Sequence, residues 1–402
     1  MKTGPFGGPR EAGTGAVLTD VVEAVAHPRL FHSLGELGLV RRGRVRRRVS
    51  EVTIAVPEGG HPGTGELRVR VAAAVASAGL PSAEVAFVEM TPDEQRLLEA
   101  RLVELGRGGG RASLGAEQGA GAHPGGRHGA KGPTPRPNPF AERSSHTRVL
   151  AIGSGKGGVG KSSVSVNLAV ALARSGASVA ILDADVYGFS VPAMLGVKEP
   201  PQMLGGLLLP PVALGVRCIS MGFFVKEDQA VVWRGPMLHK ALEQFLVDVH
   251  WGNPDYLVID LPPGTGDVSL SIAQFVPRAE LYVVTTPQPA AERVASRAAL
   301  LARQVRLPMR GVIENMSFFE ADDHKRYELF GRGGGAQLAA DLGVPLLAQL
   351  PLVPALREGG DVGRPIVADQ PESEVSKLFA GLAGRVVSLG PARVYRSELS
   401  VR

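Results

Sequence analysis

Residues 155–162 read Gly-Lys-Gly-Gly-Val-Gly-Lys-Ser. Gly155, Gly160, Lys161 and Ser162 match the spacing G-x-x-x-x-G-K-S, in which successive backbone N–H groups wrap a phosphate. An apolar strand-like run precedes the loop and the helical pattern VSVNLAVALARSG follows it. A helix N-terminus therefore adds its positive dipole end to the site. In this chemistry Lys161 reaches the β- and γ-phosphates and the Ser162 hydroxyl ligates Mg²⁺. Gly157, Gly158, Val159 and Ser163 complete the cradle. One lysine suffices for that work. Lys156 stands directly after the first glycine, where sterics ask for no charge, and is either a solvated loop lysine or a second working cation.

Three more stretches place polar groups at the ends of apolar runs: DADVYG with Asp183 and Asp185, YLVIDLPPGTGD with Asp260 and Asp267, and GVIENMS with Asn315. Each alone could be a helix cap or a turn residue. Their order along the chain after the glycine-rich loop points to one site.

The elements that must position these residues follow from alternation. Strand-like runs at 148–152, 178–183, 216–220, 256–260, 281–286, 309–315 and 346–352 are nearly all apolar and are separated by helical patterns. Strands of that kind are buried on both faces, so the expected fold is α/β with a mostly parallel sheet flanked by helices. The last pattern, EVSKLFAGLAGRVV, aligns Val375, Leu378, Phe379, Leu382 and Val386 on one face that packs on the sheet.

A break divides the chain before that sheet. Eleven glycines lie between Gly106 and Gly132, and PTPRPNP (133–139) adds four prolines. Such a segment buries too little apolar surface to offset its ordering entropy. His123 and His128 within it are read as incidental. The expected organisation is a flexible tail (1–16), a small α+β domain (17–104), a Gly/Pro-rich linker (105–146), a large domain (147–390) and a second tail (391–402). In the small domain VLTDVVEAVAHP reads as a helix, RRRVSEVTIAVP as a strand, and ELRVRVAAAVASAG as a strand leading into a helix. AEVAFVEM reads as a strand, and TPDEQRLLEARLVEL as a helix capped by Thr91 with Glu94 three residues on. The run RRGRVRRR (41–48) has six arginines and no interleaved aromatics, so a solvated hairpin with a charged edge is preferred to nucleic-acid binding.

The loop GKGGVGKS resembles the deviant P-loop of the septum-site and partition ATPases, the nitrogenase iron protein and the iron–sulfur scaffold ATPases. DADVYGFSVPAMLG, VVWRGPMLHKALEQFL, YLVIDLPPGTGDVSLSIAQ and GVIENMSFF narrow the resemblance to the Mrp/ApbC group, over about residues 147–370. SLGELGLV (33–40) resembles a trace of the small MIP18-type domain fused to many members. The resemblance implies a P-loop NTPase fold, slow Mg²⁺-dependent ATP hydrolysis and a homodimer, with Lys156 crossing the interface to the partner's nucleotide. It implies that Asp185 orients the attacking water, Asp183 acts near Mg²⁺, Asp260 holds Mg²⁺ through water, and Asp267 ends the switch turn. Asn315 would read the adenine edge. It further implies transfer of iron–sulfur clusters to apoprotein clients or exchange with assembly factors.

The chain departs from that pattern in its thiols. Members hold the cluster with a C-x-x-C shortly after the ENMS motif, whereas this chain reads ENMSFFEADDHKRYELFGRGGG there. Its one cysteine, Cys218, lies in the apolar run VRCIS and reads as a small buried hydrophobe. Asp322, Asp323 and His324 are hard or borderline ligands and read as a solvated turn. The small domain has His27-Pro28 and Leu80-Pro81 where members often carry Asp-Pro and Cys-Pro. No iron–sulfur ligand is identified, and a cluster-free nucleotide-gated dimer switch is the alternative.

Composition sets the outer bounds. The 402 residues are 44% hydrophobic with a net charge of +5, which permits two or three domains and a sizeable core. A lone cysteine fits a reducing compartment. MKTGPFGGPREAGTG lacks the apolar core of a signal peptide, and no apolar run reaches the ~18 residues of a membrane span. These features lead to the expectation of a cytoplasmic protein without a membrane partner.

Overall fold

The computed structural model describes residues 14–106, apart from 47 and 58–62, and residues 137–392, apart from 143, 205, 225–234, 265, 289–305 and 322–324. His123, His128, Asp322, Asp323, His324, most of the linker and nearly all of both tails lie outside the described residues.

Among the described residues eight strands form the large sheet, in the order Leu346–Gln349, Met309–Glu314, Glu280–Thr285, Arg148–Ser154, Tyr256–Asp260, Val179–Asp183, Val216–Ser220 and Val212–Ala213. All neighbours run parallel except the last pair. Alternation accounts for the layers. Leu150, Ile152 and Val258 face one apolar core with the helices Lys161–Arg174 and Glu374–Ser388. Ala151, Leu257 and Ile259 face the other, with the helices Gly235–Asp248 and Asp267–Phe275. Val375, Phe379, Leu382 and Val386 are buried, as the apolar stripe of that helix requires. No helix among the described residues is long and apolar enough to cross a membrane.

Chain order places the site. From Arg148–Ser154 the chain enters the helix Lys161–Arg174 and returns as Val179–Asp183, with Tyr256–Asp260 lying between those two strands. Tyr256–Asp260 leads instead to the helix Asp267–Phe275 on the opposite face, so a crevice opens at the carboxyl ends of these neighbouring strands, where ligands of open parallel sheets bind.

The small α+β region has a sheet in the order Val40–Arg46, Val49–Val56, Ala83–Glu89. The first pair is antiparallel and the second parallel. The arginine-rich run forms the edge strand of this hairpin, and Arg41 pairs with Glu94 at 2.6 Å. The helix Pro92–Leu105 starts with the expected capping box of Thr91 and Glu94. Ser33 and Glu36 form a second box on the short helix Leu34–Leu37.

One expectation fails here. ELRVRVAAAVASAG holds no strand; from Glu66 to Ser77 it belongs to the helix Thr64–Ser77, which Ala78 caps. Leu67, Val71 and Val75 recur every fourth residue and are fully buried, while Val69 is 68% exposed. Burial of that one face, worth ~2 kcal/mol per side chain, outweighs the strand preference of the valines.

The two regions pack together along a seam. Leu204, Leu207 and Leu209, from a hairpin that the sequence reading did not anticipate, enter the apolar core of the small region. Arg217 lies 3.8 Å from the Phe31 ring centroid, His250 Nε2 donates to the Leu30 carbonyl at 2.8 Å, and Asn253 Nδ2 donates to the Leu105 carbonyl at 2.8 Å.

Candidate functional site: a nucleotide-binding crevice

The glycine-rich loop runs from the end of Arg148–Ser154 into the helix Lys161–Arg174. Gly158 and Gly160 have φ of 76° and 77°, a region that glycine enters without penalty. A side chain on Gly157 or Gly158 would meet nothing within 4 Å, so their N–H groups border open space of the kind a phosphate needs. Gly160 is the helix N-cap and brings no side chain to the first-turn N–H groups, which leaves them to face an anion.

Sheet register brings the carboxylates together. Asp260 pairs with Asp183 across neighbouring strands and with Ile152 on the loop strand. Asp260 is fully buried; its Oδ2 accepts from Lys161 Nζ at 2.7 Å and Ser162 Oγ at 2.6 Å, and its Oδ1 accepts from Ser165 Oγ at 2.6 Å. Lys161, Ser162 and Asp260 thus form one cluster. The hydroxyl and carboxylate are hard oxygen donors, a set that suits Mg²⁺. Ser165 was missed, although it lies one helical turn after Lys161 on the same face and could have been found from that spacing.

Asp183 is also fully buried, and its oxygens are committed to the protein. Oδ1 accepts from the Asp185 N–H, and Oδ2 from the N–H groups of Ser190 and Val191 and from Ser220 Oγ, at 3.1–3.2 Å. Burial, then the neighbouring Asp260 carboxylate, push its pKa up to about 7. These contacts make Asp183 the organiser of the DADVYGFS loop. Asp185 lies on that loop, where its Oδ1 accepts from the N–H groups of Tyr187 and Gly188 at 3.2 and 3.0 Å. Asp267 begins the helix Asp267–Phe275, close to Gly235, and stands apart from the Asp260 cluster.

Asn315 follows the strand Met309–Glu314 and donates from Nδ2 to the Val159 carbonyl at 2.9 Å. Its Oδ1 is buried and has no hydrogen-bond partner among the described residues. That is an acceptor suited to an exocyclic amino group such as adenine carries. A Cβ at residue 160 would sit 2.3 Å from Asn315 Nδ2, so only glycine fits there. Lys156 leaves the cluster, and its Nζ donates to Gln288 Oε1. Gln288 was not anticipated, and nothing in TTPQP marks it.

Residues 145–387 match the model of a family described as ParA: NUBPL iron-transfer P-loop NTPase. The chain belongs to that family. It is 41% identical over 410 residues to the iron-sulfur cluster carrier protein of Mycobacterium tuberculosis, spanning 96% of this chain and 99% of the relative. A protein of the same name from Synechocystis sp. is 46% identical over 265 residues, 63% of this chain and 74% of the relative. Among solved structures, a nucleotide-binding protein in complex with ADP from Archaeoglobus fulgidus is 33% identical. It aligns with a TM-score of 0.51 over 58% of this chain and 93% of that one. Membership makes the chain a nucleotide-binding P-loop NTPase of a class that hydrolyses nucleotides.

This member of the family has a single cysteine, Cys218. Cys218 is fully buried in the strand Val216–Ser220. Burial, reinforced by the Asp183 carboxylate, pushes the thiol well above its ordinary pKa. Among the described residues no group of three or more His, Cys, Asp or Glu side chains could hold a metal ion.

Proposed function

We propose that the chain is an ATP-dependent iron–sulfur cluster carrier that works as a homodimer. The observation that carries the reading is the division between its two loop lysines. Lys161 lies at the Asp260 cluster, while Lys156 is held away from it, on Gln288.

In this reading the loop amides from Gly155 to Ser163 and Lys161 hold the β- and γ-phosphates. Ser162 and Asp260 hold Mg²⁺, which neutralises charge on the phosphate oxygens when bound. Asp185 accepts a hydrogen bond from the attacking water, with Asp183 keeping its loop in place. Asn315 takes the adenine amino group on Oδ1. Lys156 stabilises the transition state in the partner's site. Hydrolysis is slow because it waits on dimer closure. The relatives' shared name favours carriage over a cluster-free switch, with apoproteins or assembly factors as partners. The cluster is cargo, and the buried Cys218 is not its ligand. A free thiol of that kind supports a reducing, cytoplasmic setting. We also read 17–104 as a MIP18-type domain, 105–146 as linker, 147–390 as the ATPase domain, and 1–16 and 391–402 as tails.

Two measurements test the reading. Lys156→Ala should lower steady-state ATP hydrolysis ~10³-fold while Mg²⁺-ATP still binds; full activity in that variant overturns the trans lysine. Iron and acid-labile sulfide should be unchanged by Cys218→Ser after anaerobic reconstitution. Loss of a stoichiometric cluster in that variant would make Cys218 a ligand after all.

A further inference from the structure

Gln288 stands four residues past Val284, and Lys156 two residues past Ser154, and Val284 and Ser154 are paired across adjacent parallel strands. The segments leaving these two strand ends bring the side chains together, and Lys156 Nζ donates to Gln288 Oε1. Both residues are half-buried.

The two partners differ in how firmly the backbone holds them. The Pro287 carbonyl accepts from the Gly334 N–H at 3.2 Å, and Gly335 N–H is anchored on Glu314 Oε2 at 2.6 Å. A Cβ on Gly334 would lie 2.8 Å from the carbonyl oxygens of both Pro287 and Gln288, so the platform under Gln288 is close-packed. Lys156 instead sits between Gly155 and Gly157, and a side chain on Gly157 or Gly158 would touch nothing. The loop around Lys156 thus leaves its side chain more room to move than the packed backbone leaves Gln288. An amide oxygen gives a cation a directional hydrogen bond without the full ion pair that a carboxylate would add.

We propose that Gln288 is a positioning residue that parks Lys156 on its own subunit and so sets how readily ATP closes the dimer. The proposal rests on the trans role of Lys156. Each closure must first release the lysine from Gln288, which lowers the fraction of closure-competent subunits.

The test is steady-state ATPase activity against protein concentration for wild type, Gln288→Ala and Gln288→Glu, each alone and combined with Lys156→Ala, with thermal melts of all variants. Gln288→Ala should lower the protein concentration for half-maximal activity by roughly fivefold, since more subunits are competent. Gln288→Glu should raise it by a similar factor, and added salt should shrink that rise because an ion pair is screened. Affinity for Mg²⁺-ATP should stay within about twofold in both, a split that a merely structural role does not produce. In the Lys156→Ala background the Gln288 variants should be indistinguishable from each other. Equal losses in Gln288→Ala and Gln288→Glu, or effects that persist without Lys156, overturn the proposal. Failure of the trans role itself reads differently: Lys156→Ala alone would then keep full activity independent of protein concentration. An inactive Lys156→Ala with wild-type behaviour in both Gln288 variants would reject Gln288 and leave the trans lysine standing.

Discussion

The nucleotide end of the large sheet and the seam with the small region both bury charge, but they satisfy it differently. At the nucleotide end Asp260 accepts from Lys161, Ser162 and Ser165, and Asp183 accepts from three N–H groups and a hydroxyl. At the seam Arg217 is 7% exposed, and its Nε and Nη1 have no hydrogen-bond partner among the described residues. It lies over the Phe31 ring instead, and burial lowers its pKa to about 10. His32 Nε2 at the same seam is likewise buried without a partner. Charge is the working part of the nucleotide end. At the seam apolar area, ring contacts and two side-chain hydrogen bonds to carbonyls hold the two regions together, and the cation's desolvation is a cost they offset.

The strand Val216–Ser220 touches both places, with Arg217 at the seam and Ser220 Oγ on Asp183. Variants at either end separate the two kinds of construction. The largest effect belongs to Lys161→Ala, which should cut kcat/KM for ATP by roughly 10³-fold by removing the phosphate cation. It should leave the seam intact, as judged by unchanged protection of the small region from protease. Loss of that protection would mean that the two ends are mechanically one.

Acid should act on the seam first. His250 is buried against the Leu30 carbonyl, with His32, Phe31 and Arg217 around it, and burial lowers its pKa from 6.5 to about 4. The folded form therefore resists protonation, so this contribution is complete above pH 6.5 and is lost as pH falls toward 4. The loss amounts to about 3 kcal/mol, at roughly 1.4 kcal/mol per pH unit. Urea unfolding across that range should follow the sign, and His250→Gln should flatten the dependence.

Smaller effects sharpen the contrast. Phe31→Ala should cost about 2 kcal/mol of unfolding free energy by removing the ring under Arg217. The affinity for Mg²⁺-ATP, measured by titration, should not move. Ser33→Ala removes only one capping hydrogen bond of the neighbouring short helix and should cost about 1 kcal/mol in the same unfolding assay.

Legibility in the sequence follows the same division. The loop, Asp260 and Asn315 could be read because each is local: glycine at a tight turn, a carboxylate after an apolar strand, an amide after another. The parallel sheet was equally readable, since runs apolar on both faces have few other ways to be buried. The helix Thr64–Ser77 was misread at its start because Val69 and Val71 look like strand residues until burial selects one face. The hairpin carrying Leu204, Leu207 and Leu209 was missed because its strands are three residues each and its partner core lies far along the chain.

By itself the sequence determined the fold class, the phosphate loop, the carboxylates at the strand ends and the presence of two lysines, because those properties depend on residue type within a few positions. Only the tertiary structure decided which carboxylate faces Lys161, that Asp183 serves its own loop, that Lys156 rests on Gln288, and that Arg217 lies under the small region. Apart from the contacts of Asp183 within its own loop, these join segments tens to hundreds of residues apart. Such contacts depend on sheet register and strand order, which no local spacing encodes.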